Sequence, residues 1–380
     1  MVRRSRHFQM IAVVYHFFAH YREPVLRELA ASGRSILLVG CPNDPTGSIK
    51  AMVQGCGIPF QPSWGWFGPG GIFVQPAAIT TALNPRVKVL IYLGDVHFLC
   101  TWIGAVIGRL LGKTVLFWTH GYTRRETGTK ALLRRMFYQL AHGLLLYGNR
   151  GRDLAIQAGL NPDHLHVIYN SLDYEQHDRL RRCITSASTK SLRSNLFPDS
   201  CAPIVLFSAR LTRRKRFDLG IEAIRLLAVE GHKLNLIVIG DGPERASLER
   251  LASLAEVPTR FLGAIYDEGQ LARYFIASTV VVSPGEVGLT AMHAMAYGRP
   301  VITHNDLNTQ GPEVEAIVDG VTGRLVSPLC PRALAAAIHE FSISVEPLAG
   351  VQASCIARIQ FTYSPANQAK LILASLETKL

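Results

Sequence analysis

Two cations and two sets of closely spaced glycines mark where this chain could do chemistry. Arg210 stands just beyond the apolar run 203–208, and Lys215 follows five residues later, ahead of a segment with helical apolar spacing. Cations at a strand end and beside a helix start suit a diphosphate, because fixed positive charge and free helix N–H groups both stabilise anionic oxygens. The same residues also fit a basic loop bathed in solvent. Downstream, VVVSPGEVGLTAMHAMAYGRPVITHND (280–306) reads as a buried strand, a turn holding Gly285, Glu286 and Gly288, a helix start through Leu289 and Thr290 that carries His293, and a second buried strand. Such a turn presents backbone N–H groups to an anion. Between them, LIVIGDGPERASLE (236–249) places Gly240 and Asp241 in a tight turn, where Asp241 also fits a plain turn residue. His120 ends the apolar run of VLFWTHGYTRRE (115–126). His120 and His293 each carry a second reading, as a strand-end histidine and as a satisfied helix histidine.

Positioning these residues requires a scaffold, and the apolar pattern supplies one. Strand-length runs at 10–15, 35–40, 87–93, 114–118, 144–147 and 166–169 alternate with helix-length segments such as 22–32 and 101–111, which predicts a parallel sheet covered on both faces. The polar stretch 176–200, with TSASTKSLRSN, loses that pattern and reads as a connector. The alternation resumes at 203–208, 234–239, 279–283, 301–303 and 324–326, and 364–380 has helical spacing after a Ser-Pro start. At 380 residues the chain exceeds the size of a single core, so the expectation is α/β with two Rossmann-like, doubly wound domains, 1–175 and 201–362, facing a central cleft.

The net charge of +12 is uneven: residues 1–175 carry +9, 176–200 carry +3, and 201–380 are balanced. A basic first half implies an anionic partner there, nucleic acid or a membrane surface, and no nucleic-acid motif accompanies it. Arg124, Arg125, Lys130, Arg134 and Arg135 are interleaved with apolar residues, and QPSWGWFGPGGIF (61–73) offers Trp64 and Trp66 on a glycine-proline frame, a pattern suited to an anionic bilayer surface. A core-facing helix with a solvated basic side is the other reading of that segment. The segment 98–111 is too short to span a membrane and reads as a buried helix. The basic start 1–6 lacks a cleavage site, so no signal peptide is expected. Seven scattered cysteines without a C-x-x-C pair argue for a reducing compartment and against a structural zinc site.

Taken in order, Arg-Leu-x-x-x-Lys, Gly-Asp-Gly-Pro, Phe-Leu-Gly, Ser-Pro-x-Glu-x-Gly-Leu, Ala-Met-Ala-x-Gly-x-Pro-Val and Asp-Gly-x-Thr-Gly resemble the GT-B retaining glycosyltransferases of the family-4 type, which use nucleotide sugars. The resemblance extends over nearly the whole chain. It implies that Gly288, Leu289 and Thr290 offer backbone N–H groups to the donor, that Arg210 and Lys215 neutralise its diphosphate, that His120 faces the donor sugar, and that Glu313 in NTQGPEVEAIVDGVTG (308–323) lies near it. The family's two donor glutamates align with Gly285 and His293, so Glu286 stands one place from the first role and His293 takes the ribose position. The family's glycine-rich first turn is replaced by HFFAHYREPVLREL (16–29), with Arg22 as an acceptor contact. The closing helix, 363–380, would cross back onto the first domain, which is the acceptor domain. None of the twelve aspartates forms an Asp-x-Asp pair, so metal-independent transfer is expected, with no cofactor beyond the nucleotide sugar, and the resemblance implies retention of configuration. The sequence thus points to a cytoplasmic enzyme peripheral to the inner face of the membrane, acting on a polyprenyl-diphosphate-linked or cell-surface polysaccharide acceptor. A catalytically inactive sugar-nucleotide-binding subunit and a nucleotide-sugar epimerase of similar fold are the rival readings.

Overall fold

The computed structural model describes residues 10–47, 50–53, 56–342 and 348–377; the basic start 1–6 lies outside them. The chain divides into two compact units, residues 1–172 with 364–380, and residues 173–363.

In the first unit the strands are β1 (Met10–Phe17), β2 (Ile36–Cys41), β3 (Phe60–Pro62), β4 (Trp66–Phe67), β5 (Phe73–Val74), β6 (Val87–Leu93), β7 (Thr114–Thr119), β8 (Gly143–Leu146) and β9 (Leu165–Val167). Seven form one sheet in the order β3-β2-β1-β6-β7-β8-β9, and β4 pairs with β5 alone. The helices are α1 (Glu23–Ala31), α2 (Ala77–Leu83), α3 (Leu99–Leu110), α4 (Gly128–Gln139) and α5 (Asn149–Gln157). Parallel strands buried on both faces explain why the runs are nearly continuous in apolar residues. Strand alternation sends Ala12, Val14, Val115 and Phe117 to the layer under α2 to α4, and Ile11, Val13, Tyr15, Leu116 and Trp118 to the layer under α1. Each fully buried large apolar side chain contributes about 1.5–3 kcal/mol.

The second unit opens with α6 (Tyr174–Cys183) and α7 (Ser186–Leu196), followed by β10 (Ile204–Ser208), α8 (Phe217–Val229), β11 (Asn235–Ile239), α9 (Arg245–Leu254), β12 (Thr259–Gly263), α10 (Glu268–Ala277), β13 (Val280–Val282), α11 (Thr290–Ala296), β14 (Val301–His304), β15 (Gly323–Val326), α12 (Pro331–Ser342) and α13 (Leu348–Thr362). Its sheet runs β12-β11-β10-β13-β14-β15, with every neighbouring pair parallel. Phe207 stacks on Phe217 at 4.8 Å, fixing α8 to the sheet. Finally α14 (Pro365–Glu377) returns to the first unit, where Ala369, Ile372 and Leu376 pack in the layer with α1.

Two segments differ from the sequence reading. The stretch 176–200 is mostly helical, and it packs with the second unit. Its helices are started by side chains, Asp173 accepting from the Gln176 amide and Thr185 from the Ser188 amide. Arg193 then fastens the end of α7 through the carbonyls of Ser200, Ala202 and Ala277. The segment 98–111, read as a buried helix, is corrected: α3 buries Cys100, Thr101, Gly104, Ala105 and Gly108 and leaves Leu99, Ile103, Val106 and Leu110 exposed. Small residues form its packed face, so the helix backbone lies close to α2 and the sheet at Gly104 and Gly108, while Leu99, Ile103, Val106 and Leu110 point to solvent.

Candidate active site

In the second unit the candidate residues gather at the carboxyl ends of β10, β11 and β13, where ligands bind in open α/β sheets. Gly240 has φ 137°, and a Cβ there would lie 1.9 Å from the Ala209 carbonyl oxygen. Only glycine lets this turn rest on the loop that carries Arg210, with the Leu211 amide donating to the Asp241 carbonyl at 2.9 Å. Asp241 accepts from the Gly242 amide and pairs with Arg245 at 3.0 Å, and the Gly242 hydrogen bond is the main cause holding its carboxyl below the usual range. Its geometry is that of a turn residue. Arg210 is exposed and makes no ion pair among the described residues.

Gly285 is buried, its amide donates to the Lys215 carbonyl at 2.9 Å, and an added Cβ would lie 2.1 Å from the Arg214 carbonyl. With this backbone no side chain fits at 285. The carboxylate stands one residue later: Glu286 pairs with Arg214 at 3.0 Å, and its carbonyl accepts from the Lys215 ammonium at 2.7 Å. Burial pulls the Lys215 pKa down, and the Glu286 charge opposes that shift. Glu313 is buried, and a Cβ on Gly311 would meet its Oε2 at 2.7 Å and the Glu286 Oε1 at 3.7 Å, so the two carboxylates flank Gly311. Lys215, Glu286 and Glu313 therefore form one cluster. Gly288 has φ 55° and lies about a side-chain atom's contact from the Lys215 Nζ, which a Cβ there would meet at 4.0 Å. Leu289 precedes α11 without a side-chain cap, and Thr290 turns its hydroxyl to the Ser208 carbonyl at 2.8 Å.

Gln310 is the organiser of this loop that sequence reading missed. Buried, it accepts from the Val287 amide at 2.9 Å and donates to Thr303 Oγ1 at 2.8 Å, while the Thr303 hydroxyl donates to the Gly285 carbonyl at 3.0 Å.

His293 lies elsewhere in the unit's hydrogen-bond network. Its Nε2 meets Glu268 Oε1 at 2.8 Å, an oxygen that also accepts from the Tyr297 hydroxyl at 2.5 Å and approaches His177 Nε2 at 3.4 Å. Burial lowers the His177 pKa, and burial with the Glu268 charge raises that of Tyr297. Burial works against the Glu268 charge, yet hydrogen bonds from His177 and His293 hold its carboxyl well below the usual range. A carboxylate ringed by donors, with His177 neutral, is the consistent state. The ligand atoms of His177, Glu268 and His293 lie within 4.8 Å of one another, the one such group among the described residues that could hold a metal ion. Sequence offered no signal for this grouping, whose members come from α6, α10 and α11.

In the first unit His120 follows β7, exposed, with its ring 4.7 Å from that of Tyr147. Arg22 sits at the N-terminus of α1 and donates to the Tyr147 hydroxyl at 2.5 Å. Trp64 and Trp66 are 77% and 56% exposed. Arg124, Arg125 and Arg135 are exposed, with Arg125 bonded to Gln157, whereas Arg134 is committed to Glu126 at 2.8 Å and lies over the Tyr122 ring.

Residues 202–342 match the family model described as Glycosyl transferases group 1. The chain is 26% identical to the alpha-D-kanosaminyltransferase of Streptomyces kanamyceticus over 302 residues, covering 72% of this chain and 75% of that protein. It is 32% identical over 102 residues to the GDP-mannose-dependent alpha-(1-6)-phosphatidylinositol dimannoside mannosyltransferase of Mycobacterium tuberculosis, 26% of each chain. The crystal structure of Anabaena HepE in complex with UDP superposes with a TM-score of 0.73 at 17% identity, covering 97% of this chain and 100% of that one. These likenesses agree with two Rossmann-like units of the GT-B type, built on parallel sheets. With its second unit matching the group 1 glycosyl transferases, the chain is a glycosyltransferase.

Proposed function

We propose that the chain transfers a sugar from a nucleotide-diphosphate sugar to a lipid-linked or polysaccharide acceptor, with retention of anomeric configuration and without a metal ion. The observation that carries this reading is the loop 285–290: Gly285 locks onto the Lys215 backbone, and the Lys215 ammonium is held beside Gly288 at the start of α11. A cation next to free helix amides is suited to a diphosphate leaving group, and charge that develops as the glycosidic bond breaks is stabilised there by Lys215 and Arg210. The departing phosphate oxygen takes the acceptor hydroxyl's proton, so no strong protein base is required. In this reading Glu286 and Glu313 are assigned to sugar hydroxyls, and His120 to the donor sugar. UDP in a structural neighbour and GDP-mannose in the name of a relative support a nucleotide donor.

The acceptor is proposed to arrive from an anionic membrane surface. Leu99, Ile103, Val106 and Leu110 of α3, Leu132, Leu133 and Met136 of α4, and Trp64 and Trp66 are all exposed, as are the cations Lys130 and Arg135 of α4, which supports this reading. Among the described residues no helix is long and apolar enough to cross a membrane.

The test is thermal stabilisation by UDP, GDP, dTDP and ADP with EDTA present. One of them at 100 times its Kd should add about 2.7 kcal/mol, and Arg210→Ala with Lys215→Ala should abolish the effect. No stabilisation of the folded protein by any of the four defeats the donor reading; stabilisation without turnover on any lipid-linked acceptor makes it a binding subunit.

A further inference from the structure

The first unit holds a half-buried cation, Arg22, that meets no anion among the described residues. Tyr15, Trp118 and Tyr147 stand at the carboxyl ends of β1, β7 and β8 on one face of the sheet, each 98% or more buried. The Arg22 guanidinium lies over them, its central carbon 4.9 Å from the Tyr15 ring centre, 5.0 Å from Trp118 and 5.7 Å from Tyr147, with Tyr21 at 5.9 Å. Its recorded hydrogen bond goes to the Tyr147 hydroxyl. No carboxylate among the described residues pairs with Arg22, and its neighbours are the phenols of Tyr15, Tyr21 and Tyr147 with the Trp118 indole. The wall also carries unused polarity: Trp118 Nε1, a donor only, has no acceptor among the described residues, while the Tyr15 hydroxyl is directed to that of Tyr147.

Cation–π contacts offset part of the desolvation of a guanidinium, yet a half-buried charge of this kind is ordinarily paired. Here the planar fork keeps most of its N–H groups uncommitted, and Arg22 retains accessible surface. His120 completes the rim, its ring 4.7 Å from that of Tyr147.

We infer that Arg22, Tyr15, Trp118 and Tyr147 form a subsite for an oxyanion, a carboxylate or a phosphate carried by the sugar acceptor. Positive charge at the fork, the orphaned Trp118 N–H in the wall and apolar ring faces around them select a charged group on an otherwise stackable sugar. The assignment of this group to the acceptor rests on the transferase reading above; the anion subsite itself does not. It predicts that the acceptor is acidic at the position it presents to this sheet edge, and that a neutral analogue is used poorly.

The experiment isolates Trp118 as reporter by replacing Trp64, Trp66 and Trp102 with phenylalanine, in an Arg210→Ala, Lys215→Ala background that silences the second unit's cations. Fluorescence is titrated with glucuronate, with glucose 1-phosphate and with glucose, up to about 10 mM, the range in which weak single-anion sites saturate. A saturable change with glucuronate assigns a carboxylate, one with glucose 1-phosphate assigns a phosphate, and glucose should give none. Arg22→Gln should weaken the effective anion at least about tenfold, with Arg22→Lys intermediate because it keeps the charge and loses the fork. If Arg22→Gln fails to fold, Arg22→Lys serves as the test variant. Absence of a saturable change with both anions, an equal change with glucose, or unchanged affinity in the folded variant overturns the subsite. Nucleotide stabilisation, measured on the protein with Arg210 and Lys215 intact, reports separately on the donor reading.

Discussion

Gly285→Ala tests the packing that holds the candidate donor loop. The new Cβ would stand 2.1 Å from the Arg214 carbonyl oxygen and 2.9 Å from the Lys215 carbonyl carbon, both backbone atoms that cannot swing aside. Restoring an ordinary contact requires the two segments to separate by about 1 Å, which lengthens the Gly285 to Lys215 hydrogen bond and moves the ammonium away from Gly288. Overpacking costs about 1–3 kcal/mol and a weakened buried hydrogen bond adds about 1, giving roughly 2–4 kcal/mol in total. For a unit of this size that is a fall in Tm of about 5–15 °C. The assay is a urea and thermal melt of wild type, Gly285→Ala and Gly350→Ala, the last at a position where a Cβ meets nothing within 4 Å. Gly350→Ala should be neutral or slightly stabilising, and nucleoside diphosphate stabilisation should vanish only in Gly285→Ala. If Gly285→Ala melts within about 0.5 kcal/mol of wild type, the loop is not held as described and the argument placing Lys215 fails.

Other expectations follow from the buried polar groups. Glu268→Ala strips the acceptor shared by Tyr297 and His293 and approached by His177, and should cost about 3 kcal/mol in chemical denaturation; a loss below 1 would mean that water serves these groups equally well. His16 is packed among Phe17, Phe73 and Phe98 with its Nδ1 unpartnered, and burial lowers its pKa to about 4. The unfolded chain therefore takes that proton first: the contribution is complete above pH 6.5 and is lost as pH falls toward 4, about 3 kcal/mol in all. Unfolding midpoints from pH 7.5 to 4 in wild type and His16→Phe should diverge in that window, and parallel curves would remove His16 as the cause. Trp64→Ser with Trp66→Ser should reduce sedimentation with anionic vesicles severalfold without lowering Tm; unchanged sedimentation would show that these rings do not meet lipid.

Most strands were legible because a parallel sheet buries both faces, so each run is apolar throughout: 87–93 coincides with β6, and the others differ by a residue or two. The helices were less so. In α3 the packed face is made of Gly, Ala, Cys and Thr while leucine and isoleucine face out, which inverts the usual reading of apolar spacing. In α6 and α7 the sequence is polar, and caps by Asp173 and Thr185 decide the matter. At the site, the glycines at 240, 285 and 288 could be read because glycines so closely spaced mark tight turns, although what 240 and 285 make room for, Ala209 and Arg214, lies on another loop. Gln310, Glu268 and His177 could not, since their partners arrive from elements far along the chain. Nor could the aromatic setting of Arg22, whose buried rings come from chain positions separated by up to 132 residues, from Tyr15 to Tyr147.

The return of α14 to the first unit sets the order in which a ribosome can finish the molecule. The layer containing Leu26, Leu38 and Trp118 is closed by Ala369, Ile372 and Leu376, residues synthesised after the whole of 173–363. The unit begun first is thus completed last, while the second unit, contiguous in sequence, can form as soon as its own residues emerge. A nascent chain halted after residue 363 would carry a finished second unit and a first unit with one apolar layer open to water. Truncation there should therefore yield a protein that nucleotides still stabilise but that aggregates through the bared surface of α1 and its sheet.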